Sequence, residues 1–295
     1  MSIDHDDAED QQSRNALALV DNLAGLGSVL VAFSGGVDSG LVLAAAVKAL
    51  GTSPVLAVTA DSASVPRAEL TAAAGFAAGL GVGHLTVRTG ETELPGYQRN
   101  GPDRCYICKA TLLDRLVAEA AGRGFAHVAT GTNRDDVRSD VRPGIRAGTE
   151  RGIRTPLFEV GLGKRAVRRL AAAWGLSLWD KPASPCLASR IRPGVPVTVD
   201  RLGRVERAEV RLRDLLRRRA ISVRDLRVRD LGVAVRVEVD ADQVDQVASL
   251  AELGQVLADA GYPPEAATTV AAFRSGSLVT SEPRGASSRP VAAGS

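Results

Sequence analysis

The sequence predicts an α/β protein: a parallel sheet covered on both faces by helices, followed by a small α+β unit. Three observations predict it. Short apolar runs alternate with helix-length stretches through the first half of the chain. A Pro- and Gly-punctuated stretch, "RIRPGVPVTVD" (190–200), then interrupts the pattern and reads as a linker. Beyond it the order changes to helix, two strands, helix, strand. Apolar strands joined by helices need crossover connections, and crossovers lay helices on both faces of a parallel sheet.

In order, "VLVAFS" (29–34) is a strand and "SGLVLAAAVKALG" (39–51) a helix ending at glycine. "VLAVTA" (55–60) and "RAELTAAAGFAAGLG" (67–81) repeat the pair, and "HLTVRT" (84–89) is a third strand. A loop carrying two cysteines leads to a helix, "TLLDRLVAEAAGRG" (111–124), and a strand, "HVATGT" (127–132). After the linker, "RLGRVERAEVRLRDLLRRRA" (201–220) is a basic amphipathic helix. "DLRVRDLGVAVRVEVD" (225–240) gives two strands about a turn, 241–261 a helix and 268–279 a last strand. The expected organisation is a disordered N-terminus over 1–14, a first domain over 15–195, a small domain over 196–279 and a disordered tail over 280–295.

With 295 residues, 45% hydrophobic and 24% charged, the chain can bury a sizeable core and reads as an ordinary globular protein. No apolar run is long enough to cross a bilayer, and the acidic, polar start does not read as a signal peptide; a cytoplasmic location without membrane partners is expected. Only four of the 37 basic residues are lysine. Base composition accounts for such a bias, and so does recognition of anions, because the arginine fork suits carboxylates and phosphates.

"SGGVDS" (34–39) joins the first strand to the first helix, at the carboxyl edge where open parallel sheets bind ligands. Gly35 and Gly36 let backbone N–H groups turn toward an anion, and Ser39 with the helix N-terminus that follows adds a positive dipole end. No GxxxxGK[ST] loop occurs in the chain. Asp38 would repel phosphate unless Mg²⁺ lies between them, so the loop calls for Mg²⁺–pyrophosphate. The stretch resembles the signature of the PP-loop ATP pyrophosphatases, which implies adenylation of a substrate oxygen with release of pyrophosphate.

"PDRCYICK" carries Cys105 and Cys108, a spacing that suits zinc, a redox pair or an iron–sulfur cluster. The three histidines are scattered and do not complete a zinc set. In "WDKPASPCLASRI", Pro182 and Pro185 keep Cys186 in an extended, accessible loop, where Lys181 and Arg190 are expected to favour thiolate. Three cysteines are the number that holds a 4Fe-4S cluster with one iron open. Alternation puts Arg227 and Arg229 on one side of a strand, where they could form a phosphate site.

These stretches, with "GTNRDD", "RPGIRA" and "FRSGSL", occur in the order and spacing of the LarE family, and the sequence resembles it from about residue 15 to 279. The resemblance implies a PP-loop (adenine nucleotide alpha hydrolase-like) domain, ATP and Mg²⁺ as cofactors, and pyridinium-3,5-biscarboxylic acid mononucleotide as substrate. Ser34, Gly35, Gly36, Val37, Asp38 and Ser39 would bind the phosphates, with Gly131 lining the nucleotide pocket. Cys186 would accept the adenylated carboxylate as a thioester and yield its sulfur. Ser189, Arg190, Glu209, Arg227, Arg229 and Glu238 would serve substrate binding or sulfur transfer. The additional Cys105 and Cys108 resemble a subset in which the three cysteines hold a 4Fe-4S cluster and Cys186 is not consumed; this form is the favoured expectation. Gly40, and Arg192 after "CLASRI", depart from the usual family pattern. A homo-oligomer is implied. Two other functions fit less well: tRNA thiolation, given 3% aromatic content and no paired zinc ribbons, and amide-forming synthesis, which needs no cysteine.

Overall fold

The computed structural model describes residues 3–137, 143–182, 184–278 and 289–290. The chain divides into two compact units, and both are discontinuous. One comprises Met1–Glu91 with Cys105–Ser184, the other Thr92–Arg104 with Pro185–Ser295. The single boundary expected near residue 195 is thus replaced by three crossings, and Cys186 falls in the second unit.

The first unit contains strands β1 (Val29–Ala32), β2 (Val55–Asp61), β3 (Gly83–Arg88) and β4 (His127–Thr130), all parallel in the order β3-β2-β1-β4. The strands alternate between two cores. Val29 and Val31 of β1 face helices α1 (Ile3–Ala24) and α2 (Val37–Leu50), while Leu30 faces Leu113 and Leu116 of α4 (Arg104–Arg123). Helix α3 (Arg67–Gly79) packs on β2 and β3, and α5 (Lys164–Ala173) on α2. Helix α2 is buried from Ser39 through Ala46, which fits its nearly unbroken apolar sequence.

Two expectations are corrected here. The N-terminus is helical from Ile3, not disordered, because Leu19 and Leu23 at i, i+4 bury fully and anchor the helix. The first two cysteines lie not in a loop but on the first turns of α4, which begins at Arg104.

In the second unit, α6 (Val199–Arg218) lies against a sheet of β5 (Leu226–Asp230), β6 (Ala234–Val239), β7 (Ala267–Ala272) and β8 (Arg289–Pro290), in that order. Strands β5 and β6 are antiparallel, β6 and β7 parallel, β7 and β8 antiparallel. Leu226, Val228, Val235, Val237 and Val270 share one core with Ala208, Leu212 and Leu216 of α6. The helix expected over 241–261 is broken into α7 (Val244–Ala248) and α8 (Leu253–Asp259). Val247 and Leu253, both fully buried, are six residues apart, and a continuous helix would turn them about 120° from each other. The expected tail beyond 279 lies outside the described residues except for Arg289–Pro290.

Asn100 fastens the 92–104 segment into this unit. It is 2% exposed with φ 56°, a left-handed conformation that asparagine tolerates better than most residues. Its Nδ2 donates to the carbonyls of Arg192 and Val195, each at 2.8 Å, and its own carbonyl accepts from Gly194 N at 3.3 Å. Arg104 Nη1 donates to Asn100 Oδ1 at 2.5 Å. Replacing Asn100 with Ala removes the bonds to Arg192, Val195 and Arg104 but not that from Gly194 N, and adds strain at positive φ, at an expected cost of about 3 kcal/mol. Asn100→Gly, which relieves the strain, is expected to cost about 1 kcal/mol less. Urea unfolding of the two variants tests this order.

Candidate active site

The loop from Ser34 to Gly36 leaves the carboxyl end of β1 and enters α2. Gly35 has φ 73°, and the helix N-cap Gly36 makes no side-chain capping bond, so first-turn N–H groups remain for a ligand. Ser39, 4% exposed, braces the turn. Its Oγ donates to Gly36 O at 3.2 Å and accepts from Ser34 N at 3.2 Å. Gly131, expected to line the nucleotide pocket, has a packing role here: a Cβ there would lie 2.5 Å from Ser39 N and 2.8 Å from the Asp38 carbonyl carbon. Only glycine lets the β4 loop approach the start of α2 so closely.

Asp38 accepts from Asn133 Nδ2 at 3.2 Å, and Asn133 is fully buried. Burial raises the Asp38 pKa, and the neighbouring Asp136 raises it further. The Asn133 hydrogen bond and the charges of Lys164 and Arg168 oppose this. Two nearby carboxylates, one of them desolvated, suit a divalent cation that also binds phosphate oxygens.

Cys186, half-buried, opens a short turn, Leu187–Arg190. Three arginines hold the carbonyls of this segment. Arg190 Nη1 donates to Pro185 O, to Cys186 O at 3.1 Å and to Ser189 Oγ at 3.2 Å. Arg104 donates to Ala188 O at 2.9 Å, and Arg229 to Ser189 O at 3.2 Å. Arg190 is 2% exposed and also meets Glu209 through Nε at 3.0 Å and Nη2 at 3.4 Å. Its geometry is therefore that of a positioning residue for the Cys186 turn.

Arg227 and Arg229 do share one side of β5, as alternation requires, and both are 6% exposed although β5 is an edge strand. Glu209 covers part of the edge by accepting from Val228 N at 3.1 Å, and Arg192 N donates to Asp230 O at 2.9 Å. Arg229 Nε meets Glu238 Oε2 at 2.8 Å, and Ser277 donates to Glu238 Oε1 at 2.8 Å. Arg227 stacks on Phe273, 5.3 Å from the ring centroid, with Asp225 3.8 Å away. Burial lowers the Arg227 pKa, and the like charge of Arg190 adds to it. The second unit thus gathers Ser189, Arg190, Glu209, Arg227, Arg229 and Glu238 about one turn and strand, in surroundings that favour an added anion.

Cys105 is exposed and Cys108 half-buried, three residues apart on one face of α4; Cys186 belongs to the other unit. None of the three is in a disulfide. Among the described residues, no three His, Cys, Asp or Glu side chains are gathered closely enough to hold a metal ion. Lys181, expected to act on Cys186, instead donates to Gly35 O at 2.8 Å and Glu69 Oε2 at 2.5 Å. The sequence reading missed Asn133, Asp136, Lys164 and Arg168. The visible signal for Asn133 and Asp136 was the acidic "TNRDD" after a strand.

Because the ionised Asp38 is less favourable in the folded chain than in the unfolded one, its stabilising contribution is present at low pH and lost as pH rises through the raised pKa. Asp38→Asn is therefore expected to raise the Tm of ligand-free protein at pH 7. Calorimetry of the ligand-free protein checks this.

No helix among the described residues is long and apolar enough to cross a membrane. The NAD synthase family model matches residues 11–99, the part of the chain that contains the Ser34–Ser39 loop. Uncharacterized protein slr1717 of Synechocystis is 42% identical over 80% of this chain and 87% of its own. Pyridinium-3,5-bisthiocarboxylic acid mononucleotide synthase of Lactiplantibacillus plantarum is 38% identical over 67% of this chain and 71% of its own. Uncharacterized protein MJ0830 of Methanocaldococcus jannaschii is 31% identical over 50% and 55%. Similarity of this extent to the synthase, together with an ATP-pyrophosphatase loop on a four-stranded parallel sheet, establishes that the chain belongs to the LarE family of ATP-using sulfur transferases.

Proposed function

We propose that the protein converts a carboxylate of pyridinium-3,5-biscarboxylic acid mononucleotide to a thiocarboxylate, at the expense of ATP. The observation that carries the proposal is the Cys186 turn, fixed by arginine side chains beside the buried Arg227 and Arg229. A cysteine held this firmly suits acyl capture, and desolvated guanidinium groups suit a phosphate-bearing substrate.

In this reading the substrate carboxylate oxygen attacks the α-phosphorus of ATP, and the bond to the β-phosphate oxygen breaks with its electron pair leaving on pyrophosphate. The Ser34–Ser39 loop and the α2 N-terminus bind the phosphates. Asp38, assisted by Asp136, would hold Mg²⁺, which supplies positive charge to the phosphates. Where Cys186 is itself the sulfur donor, its thiolate attacks the acyl carbon and AMP leaves, giving a thioester. Loss of the Cys186 Cα proton with breakage of its Cβ–S bond then releases the thiocarboxylate and leaves dehydroalanine, a chain lighter by one H₂S.

Cys105, Cys108 and Cys186 also have the donor chemistry for a 4Fe-4S cluster. Such a cluster would supply sulfide in place of the Cys186 sulfur and make the protein reusable, and the additional cysteine pair favours this form. The reading extends to a homo-oligomer working in the cytoplasm on a small nucleotide, not on nucleic acid.

Intact mass of anaerobically prepared protein, with product analysis after one turnover on ATP, Mg²⁺ and the dicarboxylate nucleotide, tests the reading. Thiocarboxylate with an unchanged chain mass is the expected result. A chain lighter by one H₂S would assign the sulfur to Cys186. No thiolated product would overturn the proposal. Cys186→Ala is expected to keep substrate-dependent pyrophosphate release while losing thiocarboxylate formation. Arg227→Ala is expected to raise KM for the mononucleotide about 10- to 100-fold with ATP binding unchanged, as titration would show.

A further inference from the structure

We propose that Lys181 supplies the cation of the phosphate loop, held by Glu69 until the β- and γ-phosphates of ATP draw it away. This inference rests on the nucleotide reading above.

The loop "SGGVDS" contains no basic residue, whereas the phosphate loops that use a lysine carry it within the motif. The fold brings one from 146 residues further along the chain. Lys181 Nζ lies 2.8 Å from the carbonyl of Gly35. It also lies 2.5 Å from Glu69 Oε2 on the first turn of α3. The pair sits over Gly35: a Cβ there would be 3.5 Å from Glu69 Oε2 and 3.7 Å from Lys181 Nζ. Both side chains are about one-fifth exposed, so a ligand at the loop can reach them.

The backbone that carries the lysine is fixed independently. Arg168 donates to Trp179 O and to Lys181 O, each at 2.9 Å, and Lys181 N donates to Leu178 O at 3.0 Å. This anchorage leaves the four-carbon stem to swing while its root stays in place. An ammonium has three donors, and Gly35 and Glu69 take two of them. Lys164 is engaged at the Asp136 end of the site, 3.4 Å from Oδ1, and so does not duplicate Lys181 at Gly35. As pyrophosphate leaves with an additional negative charge, a lysine poised at Gly35 stabilises that charge directly.

The test is equilibrium binding of Mg²⁺–pyrophosphate and of AMP, measured separately. The proteins are wild type, Lys181→Gln, Lys181→Arg and Glu69→Gln. Lys181→Gln keeps a donor for Gly35 but removes the charge, so its Tm reports whether the loop persists. The expected result is pyrophosphate binding at least tenfold weaker in Lys181→Gln with AMP binding unchanged. Lys181→Arg should restore most of the loss, and Glu69→Gln should bind pyrophosphate as tightly as wild type or more so. Equal losses for AMP and pyrophosphate, or no loss for either, would overturn the role of Lys181 while leaving the nucleotide reading intact. Wild type that binds neither probe would overturn the nucleotide reading and this proposal with it.

Discussion

Arginine-to-carbonyl hydrogen bonding at the Cys186 turn is the interaction on which the second unit depends. The segment 185–189 belongs to no strand; within it Cys186 O and Ala188 O accept from the backbone N–H groups of Ser189 and Ile191, and side-chain donors complete the set. Arg190 serves Pro185 and Cys186, Arg104 serves Ala188 and Arg229 serves Ser189. Each guanidinium is anchored in turn, Arg190 by Glu209, Arg104 by Asn100 and Arg229 by Glu238. The planar fork makes this possible, since one arginine can serve several acceptors at once where a lysine would present a single mobile charge. The abundance of arginine thus has a structural use at this turn, whatever its origin in composition.

The nucleotide loop follows a different logic. Its shape comes from the absence of side chains, at Gly35 where φ is positive and at Gly131 where two backbones meet. Its charge comes from residues remote in sequence. Asp38 is kept desolvated near a second carboxylate, an arrangement unfavourable for stability and well suited to a cation bound with phosphate.

Much of the architecture was legible in the sequence, because strands β1 to β4 and β5 to β7 announce themselves by length, apolar content and alternation. The loop was legible for the same reason: its glycines and aspartate lie between a clear strand and a clear helix. What could not be read depends on contacts far apart in the chain. Asn133 reaches Asp38 across 95 positions, and Asn100 reaches Arg192 across 92. Alternation put Arg227 and Arg229 on one side, but no local pattern showed that an edge strand would be buried there. The broken helix after residue 240 was misread because its apolar residues are numerous enough to suggest one continuous face. Proximity in sequence also suggested that Lys181 would act on Cys186, whereas its ammonium meets Gly35 and Glu69.

The discontinuity of both units bears on how the chain is made. Residues 92–104 emerge from the ribosome well before their partners at 191–197, with the whole of 105–184 intervening. At synthesis rates of about 5–20 residues per second, that interval lasts several seconds. During it Tyr97, which ends 1% exposed, has no finished core to enter, and the first unit is itself incomplete until residue 184 has appeared. The nascent protein therefore passes through a window in which neither half can close; the first unit can complete once residue 184 has appeared, and the second only after its core, through Val270, has been made.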